Sequence, residues 1–192
     1  IVEEYEGIFE EPKVSKDAHR SGSSGSWRSS FIRAPYLRES FTRRGIIQDT
    51  FETSITWDKS HKFIENIKEQ TAKAILEITG KPSLITCRIT HSYPDGLAPY
   101  FTFGAFSTPQ SMIEIWKEIK LATNEICIAN QGTVTHHHAV GRDHRPKGYD
   151  DQRPDLFNKV LVAAKSSLDP KGIMNPGVLI DPEGKNINNW MA

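Results

Sequence analysis

Apolar and polar residues alternate along this chain with two distinct periods, and the switches between them mark out its elements. From Ile47 to Trp57, Phe51, Thr53, Ile55 and Trp57 alternate with Glu52, Ser54 and Thr56, a period of two that predicts a strand with one buried face. Asp58 then stands where a helix cap is wanted, and Phe63, Ile64, Ile67, Ala74, Ile75 and Ile78 recur at helical spacing up to Gly80, with Pro82 beyond. Two β-prone runs, Leu84 to Tyr93 and Leu97 to Phe106, flank Pro94-Asp95-Gly96, whose proline presets φ and whose glycine accepts a positive φ, so a hairpin is predicted. After Ser107, Thr108 and Pro109, the residues Met112, Ile113, Ile115, Trp116, Ile119, Ile126 and Ile128 line a second long helix that ends before Gly132. Thr133 to His138 reads as a final strand, which would turn His136 and His138 to one face and His137 to the other. Strand, helix, strand, strand, helix, strand is the split β-α-β order. The predicted fold class is therefore α+β, a ferredoxin-like antiparallel sheet with helices on one face, followed by a helical C-terminal extension.

The flanks are less regular. Ile1 to Phe9 has helical spacing of apolar residues but no initiator Met and no cap, which suggests a start inside something longer. Lys13 to Ser26 is polar and rich in Ser and Gly and reads as a loop, and Trp27 to Phe31 opens an ordered stretch. A short helix is predicted from Ala34 to Phe41, with Pro35 at its first position and Gly45 as its stop. Beyond the sheet, Gly141 to Arg153 is a charged loop, Leu156 to Leu168 is a helix, and Asp169 to Gly177 is a Pro- and Gly-rich ending. Three segments follow from this: a lead-in over 1–45, the ferredoxin-like domain over 46–140, and an extension over 141–192.

Composition narrows the function classes. Lys and Arg total 24 and so do Asp and Glu, so no net charge draws the chain to nucleic acid or to an anionic membrane. No run approaches the roughly 20 apolar residues of a spanning helix, and the acidic start is unlike a secretory signal, so a cytoplasmic location is expected. Cys87 and Cys127 lie in apolar segments without CxxC spacing and are expected to be reduced and inert.

The chemistry is concentrated in Thr135 to His144, where His136, His137 and His138 are consecutive. A substrate or flavin site, a metal site and satisfied structural histidines compete for them. The metal reading is weakened because no acidic residue or Cys lies at a familiar ligand spacing. Tyr100, among alternating aromatics, is either a rim tyrosine or a proton acceptor that needs a cationic or imidazole neighbour. Arg38 could fork onto a carboxylate or phosphate, and Arg33, Arg88, Arg142 and Arg145 offer similar donors. GxGxxG, a P-loop and GxSxG are all missing, so the chain carries no nucleotide fingerprint of its own.

Four segments together carry a resemblance: Asp49 to Asp58 (DTFETSITWD), Thr86 to Tyr93, the histidine run, and Leu168 to Gly177 with its Asn-Pro-Gly end. Over Trp27 to Ile180 the chain resembles the carboxy-terminal domain of FAD-linked oxidases of the vanillyl-alcohol oxidase type, closest to the alkyldihydroxyacetonephosphate synthases and their bacterial relatives. The segment Arg142 to Pro146 looks more like the bacterial members. The resemblance implies a separate FAD-binding domain as partner, with this portion covering the flavin and shaping the substrate cavity. It implies exchange of an acyl group on dihydroxyacetone phosphate for a long-chain alcohol, a step of ether-lipid synthesis in which the flavin acts covalently rather than as a net electron carrier. By motif position, Tyr100, His136, His137 and His138 match catalytic positions, Arg38 and Arg88 are assigned to the anions of a phosphorylated or carboxylated lipid precursor, and His136 and Asn175 to the cofactor. A homodimer is compatible with all of this. An FAD-linked dehydrogenase of 2-hydroxy acids ranks second, because such enzymes show an SGEHG-like stretch where this chain has His136 to Gly141; a non-catalytic ferredoxin-like binding module ranks third.

Overall fold

The computed structural model describes residues 3–7 and 22–181, and the chain divides into two compact units, 1–40 and 41–192. In the first unit the described residues near the start form a single 3-10 turn, Glu3–Tyr5, rather than the helix expected over Ile1 to Phe9; residues 1, 2, 8 and 9 of that expectation lie outside the described residues. The short helix expected at Ala34 is the end of a longer one. Helix α1 runs from Gly22 to Thr42 with Pro35 inside it, and it takes in residues 22–26 of the expected loop; the rest of that loop lies outside the described residues.

The second unit is the predicted sheet with its helices. Strand β1 (Ile46–Glu52), β2 (Ile55–Thr56), β3 (Leu84–Ser92) and β4 (Gly96–Phe106) form one antiparallel sheet in which β4 is central. One side of β4 pairs with β1 and then β2 in a single register, Glu52 facing Tyr100 and Ile55 facing Leu97; the other side pairs with β3. The break between β1 and β2 has a simple cause. Thr53 donates its N–H to Pro99 O at 3.2 Å, but proline has no N–H to return, so the ladder is interrupted there.

Helix α2 (Ser60–Thr79) and helix α3 (Met112–Ala129) cover one face of the sheet. Asp58 does not cap α2. It lies in a 3-10 turn, Trp57–Lys59, whose Trp57 O accepts from Ser60 Oγ at 2.8 Å. Phe63, Ile67, Thr71 and Ile75, one helical turn apart, are the buried stripe of α2, and Gly80 ends the helix at φ 68°. They pack with Ile119 and Cys127 of α3 against Phe51, Phe101 and Phe103, with the Phe51 and Phe101 rings stacked at 5.0 Å. Both cysteines are free, Cys127 buried and Cys87 half-buried.

The expected final strand is absent. Thr133 to His138 is irregular, and its backbone pairs with the free edge of the sheet at one point: Thr133 N–H donates to Ser54 O at 3.3 Å, and Ser54 N–H donates to Thr133 Oγ1 at 2.9 Å. The fourth strand of a ferredoxin-like sheet is thus reduced to a single bridge, and the alternation expected of His136, His137 and His138 does not apply.

After the histidines, two short turns, Arg145–Tyr149 and α4 (Asp150–Gln152), lead to α5 (Asp155–Leu168). Arg145 is 4% exposed and clasps the segment 177–181: it donates to Gly177 O at 2.9 Å, to the Asp181 carboxylate at 3.0 and 3.2 Å, and to Asp150 at 3.2 Å. Among the described residues no helix is long and apolar enough to cross a membrane.

Candidate active site

Alternation along the strands divides the sheet. Phe51, Phe101, Phe103 and Ile85 point into the helical layer, so the opposite face receives Gln48, Thr50 and Glu52 from β1, Thr86 and Arg88 from β3, and Tyr100, Thr102 and Gly104 from β4. Helices α2 and α3 pack on the other side of the sheet, and the histidine segment folds over one end of this face.

Glu52 anchors that segment. Although it alternates with Phe51 in the chain, it is fully buried, and its Oε1 accepts from Thr135 Oγ1 at 2.6 Å and from the backbone N–H of His136, His137 and His138 at 2.7, 2.9 and 2.8 Å. Consecutive N–H groups of a strand point to opposite sides. Three that converge on one oxygen form an anion-binding nest instead. Burial alone would push the Glu52 carboxyl up; the hydrogen bonds from Thr135 and then from His138, His136 and His137 outweigh it and hold the carboxyl below its ordinary value.

The nest brings the expected residues together. The Tyr100 ring lies 5.9 Å from His137, stacked, and 5.3 Å from His138, edge-on. Its hydroxyl donates to Thr50 Oγ1 at 3.1 Å, and the Arg88 guanidinium sits over its ring at 4.5 Å. Burial holds the His138 imidazole below its ordinary value, with the Glu52 charge opposing, so it is neutral near pH 7.

Three further residues belong to the cluster and were not expected from the sequence: Glu52, His91 and Tyr93. The β3–β4 register slips between Ile89 and His91, a bulge that re-aims the end of β3 toward the histidines. The His91 ring consequently lies 5.1 Å from His136 and 4.8 Å from His137, and the Tyr93 hydroxyl is 3.0 Å from His136 Nε2. Tyr93 and His136 also help to line a cavity of about 420 Å3 together with Lys59, Asp95, Gln131 and Thr133. At the opposite end of the same face, Phe41, Ile46, Leu84 and Phe106 surround an apolar hollow of about 260 Å3.

Two sequence candidates belong to other segments of the chain. Arg38 is on α1, in the first unit. Asn175, at φ 45°, belongs to the terminal segment that Arg142 and Arg145 tie down, Arg142 donating to Pro176 O at 2.7 Å. Arg142 and Arg145 are thereby committed to structure.

Known proteins resemble this chain over most of its length. The chain is 30% identical over 157 residues to an alkyldihydroxyacetonephosphate synthase of Trypanosoma brucei brucei and 33% identical over 148 residues to one of Caenorhabditis elegans, matches that cover 81% and 76% of this chain and 25% of each relative. A synthase of the same name from Dictyostelium discoideum is 27% identical over 205 residues, covering 94% of this chain and 32% of that protein. The chain therefore spans about a quarter to a third of the length of the curated relatives it matches. Two solved structures of alkyldihydroxyacetonephosphate synthase share its fold, with TM-scores of 0.57 and 0.51 at 20% identity, each covering 81% of this chain and 25% or 24% of the solved chain. The family described as FAD linked oxidases, C-terminal domain, matches residues 2–179. With nearly its whole length accounted for in this way, the chain belongs to the family of FAD linked oxidases, as their C-terminal domain.

Proposed function

We propose that this chain is the substrate-side wall of an FAD-dependent enzyme that replaces the acyl group of an acylated dihydroxyacetone phosphate with a long-chain alcohol. The observation that carries the reading is the meeting of Tyr100, Arg88 and the histidine segment on the face of the sheet opposite α2 and α3. That face fits a flavin supplied by another domain, because it presents imidazole, guanidinium and phenol groups together. When bound, FAD supplies the electrophilic ring that such chemistry needs.

The chain's own residues then have separate tasks. Tyr100 takes the proton from the substrate carbon next to the carbonyl, its ring fixed by Arg88 above and by the Thr50 contact at its hydroxyl. Arg88 and the exposed imidazole edge of His137 supply positive or donor groups for the phosphate and the departing carboxylate. His138, neutral and half-buried, orders the phenol from its edge. The apolar hollow runs along β4 from Thr102 to Phe106, about 7 to 20 Å from Tyr100 at roughly 3.4 Å per residue, a span suited to a long alkyl or acyl chain. The roles of Arg38 on a substrate anion and of His136 and Asn175 at the cofactor rest on the sequence resemblance.

Incubating the complete flavoprotein with acyl-dihydroxyacetone phosphate and an isotopically labelled fatty alcohol tests the reading. Label in an ether product is the expected result. Lasting flavin bleaching by a 2-hydroxy acid, without transfer of label, would replace this reading with a dehydrogenase.

A further inference from the structure

The sequence offered no acidic residue near the histidines, but the fold brings one from another strand. His91, His136 and His137 present ligand atoms that all lie within 4.8 Å of one another. The Nδ1 atoms of His136 and His137 face each other at 3.3 Å. Glu52 Oε2 stands 3.3 Å from His137 Nδ1 and 3.8 Å from His136 Nδ1. A point about 2.0 Å from all three atoms exists inside that triangle, which is the bond length of zinc to imidazole nitrogen and carboxylate oxygen.

A second observation points to a missing partner at the same place. Glu52 is fully buried, and while its Oε1 is saturated by the nest, its Oε2 has no hydrogen-bond partner. A buried carboxylate oxygen left bare is costly, and this one is aimed at two imidazole nitrogens. The outer shell also suits metal ligation. The Tyr93 hydroxyl lies 3.0 Å from His136 Nε2, where it can take that N–H and leave Nδ1 with its lone pair. Thr90 Oγ1 lies 3.1 Å from His91 Nδ1, which leaves Nε2 as the ligand atom of His91.

We propose that Glu52 Oε2, His136 Nδ1 and His137 Nδ1, with the exposed His91 swinging in as the fourth ligand, bind a divalent transition-metal ion of the zinc class. The site lies next to Tyr100 through His137, so the ion would place positive charge beside the anion-binding groups of the proposed reaction. Its existence does not depend on that reaction, and metal binding is measured without turnover.

The test uses the full polypeptide, stripped with a chelator, desalted and titrated with Zn2+ alone, with Co2+ as a spectroscopic probe. One ion retained per chain, visible Co2+ bands of tetrahedral intensity, and a loss of affinity of about tenfold or more in His91→Ala and His137→Ala are expected. Circular dichroism of both variants checks that the fold is kept. Absence of retained metal, octahedral Co2+ spectra, or equal retention by wild type and both variants would overturn the site and leave a proton shared between the two imidazoles as the occupant.

Discussion

A buried carboxylate whose one oxygen collects four donors does two jobs at once: it fixes three consecutive residues of an irregular segment, and it puts a negative charge behind their imidazole rings. Glu52→Ala would leave the three N–H groups and the Thr135 hydroxyl without their acceptor. The expected cost is about 2–4 kcal/mol after partial rehydration, read from denaturant unfolding, with Glu52→Gln milder because its amide oxygen can still accept. Unchanged stability in Glu52→Ala would mean that the nest is not what orders the segment. Tyr100, by contrast, is held by Arg88 on one side and Thr50 at its tip, so its removal should affect chemistry more than folding.

The elements of the second unit repeat this division between local and distant causes. Helices α2 and α3 and the β3–β4 hairpin lie close to where apolar periodicity puts them, because each buries a stripe that its own sequence defines. The segment from Thr133 to His138 reads as a strand on the same criterion, yet its conformation is decided by Glu52, 84 residues from His136 and itself disguised as a polar-face residue of β1. No local pattern reports such a contact. His91 was hidden for a similar reason, since only the bulge after Ile89 turns it toward the site. Gly132 is the hinge on which this segment leaves α3. A Cβ there would stand 2.6 Å from the Phe63 ring and 2.7 Å from Thr53 Oγ1, so Gly132→Ala should cost about 1–3 kcal/mol and shift the histidine resonances in NMR spectra. Spectra and melting temperature indistinguishable from wild type would show that the segment enters the site by another route.

For the molecule as a whole, the buried His144 sets the response to acid. Burial, assisted by the Lys120 charge, pushes the His144 imidazole down to about 4, while the unfolded chain titrates near 6.5. The folded state thus binds fewer protons between these values, and stability is lost as pH falls from about 6.5 to 4. A shift of that size corresponds to about 3 kcal/mol. Glu52, with its carboxyl held low, adds a loss in the same direction at more acidic pH. Urea unfolding from pH 7 to 4 should show this slope, flattened in His144→Gln; a variant with the wild-type slope would assign it to other groups. The role of Tyr100 on the face opposite α2 and α3 is the center of the proposed function. Exchange of the substrate hydrogen with solvent deuterium, followed by mass spectrometry in the complete flavoprotein with acyl-dihydroxyacetone phosphate, isolates that role. Tyr100→Phe is expected to slow exchange by about 100-fold or more with substrate affinity nearly unchanged, whereas exchange at the wild-type rate would contradict a proton-accepting phenol at this position.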